Sequence, residues 1–234
     1  MKKQEEQLKQ FLRGAELLSI EVSKKQAAKV EIFLQLLLSW NRKMNLFSRH
    51  DTQRLAERHL LESIAWLENF GKIKSPVLDF GSGAGFPGIP IAFFRPESKL
   101  FLLESKKKKA GFLNLAVKEL GINAEVIPGR VEAEEIQSRF REFFPVIVSR
   151  AVADLSLLWR WTAPLLREEG VLIAFKGEAL QAELEKLRRN KSSLKFDAKV
   201  LDYNICKNLW AKPYLEKRKI VMVNMTGKGK SNGQ

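Results

Sequence analysis

Directly behind the apolar VLDF of Val77–Phe80, the chain reads GSGAGFPGIP, with four glycines and two prolines in ten residues. A strand that runs into this much bare backbone, and then into helix-forming sequence, constrains the fold more than any other stretch. Glycine reaches backbone angles closed to other residues and lets a ligand lie against the main chain. The helix that follows opens with N–H groups that have no partner within it. Further apolar runs predict strands at Leu100–Leu103, Ala124–Ile127, Val146–Ser149 and Val171–Phe175. Helix-length segments near 87–94, 107–120, 131–141, 155–167 and 178–189 alternate with them. Such alternation predicts βαβ units and a parallel sheet covered on both faces. Phe196–Ile205 and Arg218–Asn224 follow without an adequate helix between them and are expected to form an antiparallel hairpin at the sheet edge.

Residues 1–70 show no strand-like alternation and are expected to form a helical cap. Ser23 is placed to cap a helix in which Val30, Phe33, Leu34, Leu37, Leu38 and Trp40 recur at three- and four-residue intervals. Asp51 or Thr52 is expected to start another, carrying Leu55, His59, Ile64 and Leu67. The division expected is therefore 1–70 cap, 71–225 Rossmann-like domain and 226–234 disordered basic tail.

Forty-one Lys and Arg against 27 Asp and Glu give a formal charge of +14, which suits a polyanionic partner without identifying it. The single cysteine, Cys206, excludes an intrachain disulfide and leaves no thiolate cluster for zinc, and no metal site is expected. The N-terminus lacks the apolar run of a signal peptide, and stretches such as Ile32–Leu38 are far too short to cross a bilayer. A soluble, cytoplasmic monomer without membrane association is expected.

Gly83, Gly85 and Gly88 fit the dinucleotide fingerprint G-x-G-x-x-G, preceded by Gly81. Glu104 ends the second expected strand, 19 residues after Gly85, where Rossmann-type folds place the acid that accepts hydrogen bonds from a ribose diol. The ligand expected is a nucleoside. Asp79, two residues before the first glycine, would repel a pyrophosphate but attract the positive end of S-adenosylmethionine; a turn-capping role is its alternative. The resulting D-x-G-x-G-x-G resembles motif I of class I methyltransferases more closely than a dehydrogenase turn. Tyr203 and Lys207 match the Y-x-x-x-K of short-chain dehydrogenases, but in or beside an edge strand rather than on a helix, so the match is read as chance.

A more specific resemblance rests on WNRKMNLFS (Trp40–Ser48), AERHLLES (Ala56–Ser63), VLDFGSGAGFPGIPIA (Val77–Ala92), LLESKKKKAGFL (Leu102–Leu113), GRVE (Gly129–Glu132), VSRAVA (Val148–Ala153) and FKG (Phe175–Gly177). In this order they resemble the RsmG, or glucose-inhibited division protein B, family of guanine-N7 methyltransferases acting on bacterial 16S ribosomal RNA. The resemblance covers roughly residues 30–180 and implies a class I S-adenosylmethionine-dependent fold: a mostly parallel seven-stranded sheet with an antiparallel edge hairpin. It implies guanine 527 as the target. It also implies cofactor contacts at Gly81, Phe86, Val131, Glu132 and Arg150, beside the Asp79, Gly83, Gly85 and Glu104 already named. Glu132 also suits a first-turn carboxylate favoured by the helix dipole, and Arg150 a ligand carboxylate, an RNA phosphate or plain surface.

For RNA, the candidates are Lys106, Lys107, Lys108 and Lys109, whose positive charge opposes the dipole of the helix they open. Arg42, Lys43, Arg49, Arg54 and Arg58 form a second basic group, beside which the family resemblance assigns His59 to the cleft and Lys176 to the target base. No N/D-P-P-Y/F follows the fourth strand and Cys206 lacks a preceding Pro, which disfavours exocyclic-amine and pyrimidine-C6 chemistry. Guanine N7 already carries a lone pair, so no general base is named. Two other readings stay open: a nicotinamide-dependent oxidoreductase, and a noncatalytic RNA-binding module on the same fold.

Overall fold

The computed structural model describes residues 2–48, 50–67, 73–189, 194–203 and 209–228. Five parallel strands, β1 (Val77–Phe80), β2 (Leu100–Glu104), β3 (Ala124–Pro128), β4 (Phe144–Arg150) and β5 (Leu166–Lys176), continue into β6 (Leu194–Asp202) and β7 (Lys219–Lys228). The sheet order is β3-β2-β1-β4-β5-β7-β6, with β7 antiparallel to both β5 and β6. The reversal of strand order between β2-β1 and β4 opens a crevice at the carboxyl ends of those strands.

Alternating side chains divide the interior into two cores. Val77, Leu100, Leu102, Val146 and Val148 face one side of the sheet, and Leu78, Phe80, Phe101, Leu103 and Ile147 the other. The first core is covered by α1 (Lys2–Leu17), α2 (Lys24–Met44), α4 (Gly88–Phe94) and α5 (Lys107–Leu120). The second is covered by α6 (Glu134–Arg139), α7 (Leu155–Thr162) and α8 (Leu180–Arg189). A single turn, α9 (Lys212–Leu215), precedes β7. No helix among the described residues is long and apolar enough to cross a membrane.

The amino-terminal helices share the first core with the sheet. The Phe33 ring lies 5.3 Å from Phe86 and 6.0 Å from Phe93, and Trp40 lies 6.1 Å from Phe112. Ser23 caps α2 as expected, in a reciprocal capping box with Gln26. The helix expected to start at Asp51 or Thr52 begins differently. A 3-10 turn (Asp51–Gln53) comes first, then a π-helical stretch (Ala56–Leu61) that runs into α3 (Glu62–Ile64). The wider π turn displaces Arg58 and His59 from the places that 3.6-residue periodicity gives them.

Three boundaries also shift. Helix 131–141 contracts to Glu134–Arg139. Helix 155–167 ends at Thr162, followed by a 3-10 turn, because β5 already begins at Leu166. Strand β7 runs to Lys228, past the expected strand end at Asn224, while 229–234, Arg49 and the Cys206 and Lys207 of the Y-x-x-x-K match lie outside the described residues.

Candidate functional site

The glycine bend leaves β1 at the crevice and is held by two carboxylates. Glu104, at the end of β2, accepts from Gly83 N–H at 2.9 Å through Oε2 and from Lys106 N–H at 2.7 Å through Oε1. A carboxylate has about four lone-pair positions, so two directions remain for other donors. Asp79, fully buried on β1, accepts from Gly88 N–H at 2.9 Å through Oδ2, while its Oδ1 has no partner. Burial pushes the Asp79 carboxyl up to about 7, against the opposing Gly88 N–H, the nearby Ser82 hydroxyl, which donates to Asp79 O at 3.0 Å, and then the Arg150 charge.

Glycine at 83 takes φ +58, and a Cβ there would meet nothing nearer than Gly81 O at 3.8 Å. The backbone is therefore open on its outer side. Gly88 differs: a Cβ there would lie 2.5 Å from Asp79 Oδ2 and 2.8 Å from Leu102, so the residue is small to let Asp79 bond the helix start.

Beside the bend lies a cavity of about 140 Å³, lined among others by Gly81, Leu103, Val131, Glu132, Val152 and Trp161. Val131 is buried and Glu132 exposed, so GRVE presents an apolar wall and a free carboxylate at one opening. Nothing in the sequence pattern marks Leu103, Val152 or Trp161 as site residues. Trp161 stands on the second-core face of α7, with its ring 6.1 Å from Phe80, and only the strand order brings it next to Gly81.

On the other side of the bend lies a buried polar network. Arg150, at the end of β4, donates through Nη1 to Glu62 Oε2 and Arg58 O, both at 2.9 Å, and through Nη2 to His59 Nδ1 at 2.6 Å. Its guanidinium stacks 5.2 Å from the Phe86 ring, on which His59 also packs at 5.0 Å. Glu62, with no exposed surface, also pairs with Arg218 Nε at 2.6 Å and accepts from Tyr214 Oη at 3.1 Å. Burial, and next the Arg150 charge, lower the His59 imidazole to about 3, so it is neutral at physiological pH. Glu62 lies within the quoted AERHLLES, but nothing in the spacing marks it. Arg218 and Tyr214, from the carboxyl-terminal quarter, carry no signal at all.

The RNA candidates divide. Lys106, Lys107 and Lys108 are exposed and Lys109 is half-buried at the start of α5, below the Glu104 edge of the crevice. Lys176 ends β5, as expected. It is 8% exposed, donates to Ala153 O and pairs with Glu183 at 2.7 Å, so its ammonium is held within the protein. Arg58 pairs with Asp51 at 3.0 Å and lies over the Tyr214 ring, and Arg54 pairs with Glu57.

A family model described as GidB, rRNA small subunit methyltransferase G, matches residues 26–209. A ribosomal RNA small subunit methyltransferase G from Caldanaerobacter subterraneus subsp. tengcongensis is 38% identical over 190 residues, spanning 80% of this chain and 77% of the relative. Among solved structures, a predicted O-methyltransferase from Agrobacterium tumefaciens superposes with a TM-score of 0.54 at 14% identity, covering 72% of this chain and 81% of the other. Aeropyrum pernix fibrillarin, solved in complex with natively bound S-adenosyl-L-methionine, gives 0.52 at 14% identity, with 71% and 75% covered. These two establish the class I methyltransferase fold.

Proposed function

Because the chain belongs to the rRNA small subunit methyltransferase G family, we propose that it transfers the methyl group of S-adenosylmethionine to N7 of a guanine in 16S ribosomal RNA, at position 527. The family match, which spans residues 26–209, from within α2 to beyond β6, carries this reading. Asp79, Gly81, Gly83, Gly85, Phe86, Glu104, Val131, Glu132 and Arg150 are the residues that would hold the cofactor. The fit is supported by an unpartnered Asp79 Oδ1, suited to an ammonium, and by two free lone-pair directions on Glu104, suited to a ribose diol. The apolar cavity against Val131 and Trp161 suits an adenine ring.

When bound, S-adenosylmethionine supplies an electrophilic methyl group. This chain's residues have to align the guanine with it and keep water out. N7 attacks with its own lone pair, so no side chain needs to remove a proton first. The buried ring of Phe86 and the Glu62–Arg150 pair make the wall behind the glycine bend dry and fixed. Exposed Lys106–Lys108 supply phosphate contacts at the rim, with the target base extruded from its stack. For Lys176 to reach RNA, it would have to part from Glu183. We read the protein as a cytoplasmic monomer, with its amino-terminal helices, up to about residue 70, as a cap on the methyltransferase domain.

Mass spectrometry of 16S RNA from cells lacking the gene tests the reaction. Loss of one N7-methylguanine, restored by the gene, is expected; an unchanged RNA would refute it. Titration with S-adenosylmethionine and NADH separates the oxidoreductase reading, since only the first is expected to bind.

A further inference from the structure

Among the buried polar atoms without a partner are Arg58 Nε and, on either side of the glycine bend, the pair His59 Nε2 and Asp79 Oδ1. Buried polar groups in native proteins are nearly always hydrogen-bonded, so such a pair needs explaining. They have opposite character. His59 Nδ1 accepts from Arg150, so in the neutral ring the proton sits on Nε2, which is then purely a donor. Asp79 Oδ1 is an acceptor. Both side chains feel the Arg150 charge, and both are joined to the same turn, His59 through the Phe86 ring and Asp79 through Gly88 N–H. A donor and an acceptor held against the same turn complement the carboxylate and ammonium of an α-amino acid.

We propose that His59 donates its Nε2–H to the α-carboxylate of the cofactor's methionyl end, and that Arg150, counted above with the cofactor's residues, holds that end through His59, as the positioning residue that fixes the required tautomer. The inference rests on the cofactor reading above and adds the residue that recognises the carboxylate. Three of the Arg150 N–H groups already serve Glu62, Arg58 O and His59, which suits a residue that orients its neighbours. Glu62, itself held by Arg218 and Tyr214, keeps Arg150 in place. The Phe47 ring also lies against the imidazole, 6.1 Å away.

Calorimetric titration with S-adenosylhomocysteine and with 5′-methylthioadenosine tests this, because the second keeps the adenosine and sulfur but lacks the amino-acid end. His59→Phe keeps a ring against Phe86 and is expected to weaken S-adenosylhomocysteine by about 10- to 100-fold, the worth of a hydrogen bond to a charged group. Binding of 5′-methylthioadenosine should stay within about twofold, the scale of an untouched interaction. His59→Gln offers both an acceptor for Arg150 and a donor for the ligand, and should recover most of the loss. Equal weakening of both ligands, or of neither, would overturn the proposal. If wild-type protein binds neither ligand, the cofactor reading itself fails.

Nitrogen-15 NMR of the wild-type protein gives a readout independent of any variant that fails to fold. The chain has two histidines, His50 and His59, so assignment needs one substitution at exposed His50. His59 should show a protonated Nε2 that S-adenosylhomocysteine shifts and 5′-methylthioadenosine does not, and Arg150→Met should mix the tautomers. A proton on Nδ1, or equal shifts with both ligands, would sink the assignment.

Discussion

At the scale of single residues, Gly83 and Gly88 lie on one bend but respond differently to a side chain. Gly83 has open space beyond it and an αL backbone that Asp tolerates better than most residues do. Gly83→Asp is therefore expected to fold, yet to lose S-adenosylmethionine affinity by tenfold or more, as its carboxylate occupies the ligand's path (on the order of a 1.4 kcal/mol effect). Calorimetry on the folded variant checks this, and retained affinity would undo the pocket assignment. Asp79 makes a prediction about pH. Its folded value, near 7, lies above the ordinary 3.8, so its contribution to stability is fully present below about pH 4 and is lost as pH rises toward 7. Asp79→Asn should remove that slope, a difference of the order of 4 kcal/mol between the two ends, read from urea melts at several pH values.

At the scale of elements, α5 and α2 begin in opposite ways. The α5 start places three exposed lysines where the helix dipole disfavours cations; its first turn holds no acid, and the carboxylate at its start, Glu104, is engaged with Lys106 N–H and Gly83 N–H. Replacing Lys106–Lys109 with alanine should weaken RNA binding more than cofactor binding. It should also flatten the salt dependence, by up to about one unit of log–log slope for each phosphate that is no longer neutralised. An unchanged slope in filter-binding titrations would mark the lysines as bystanders. The α2 capping box predicts that Ser23→Ala costs about 1 kcal/mol, visible as a lower denaturation midpoint with no change in ligand binding.

At the scale of the whole molecule, Glu62 joins three distant parts of the chain. It sits between Arg150 at the end of β4 and the Arg218–Tyr214 pair ahead of β7, with no exposed surface. Removing one member of a buried network leaves charge without compensation. Glu62→Ala should therefore destabilise the fold by roughly 3–5 kcal/mol, measured by equilibrium unfolding. Arg218→Ala, at a partly exposed position, should cost less. If Glu62→Ala is neutral, the carboxyl-terminal quarter is not tied to the crevice through this residue.

The central strands and the helices between them were legible because their signals are local. VLDF followed by glycines, the apolar run of β2 ending in Glu104, and the three- and four-residue spacing of α2 each state an element without reference to the rest of the chain. Asp79 and Glu104 could be picked out as the carboxylates at the bend for the same reason, since their places are set by the strands that carry them. Arg150 was legible as a residue but not in its surroundings: sequence spacing cannot say that Glu62, 88 positions earlier, lies against it. Lys176 and Glu183 meet only because the turn after β5 folds α8 back against the strand end. The sequence by itself determined the strand-bend-helix unit and the carboxylates that serve it, because hydrogen bonding and periodicity act over a few residues. Only the tertiary structure decided which cations stay exposed and which are drawn into the interior, because a buried charge must find its counter-charge wherever packing happens to bring one.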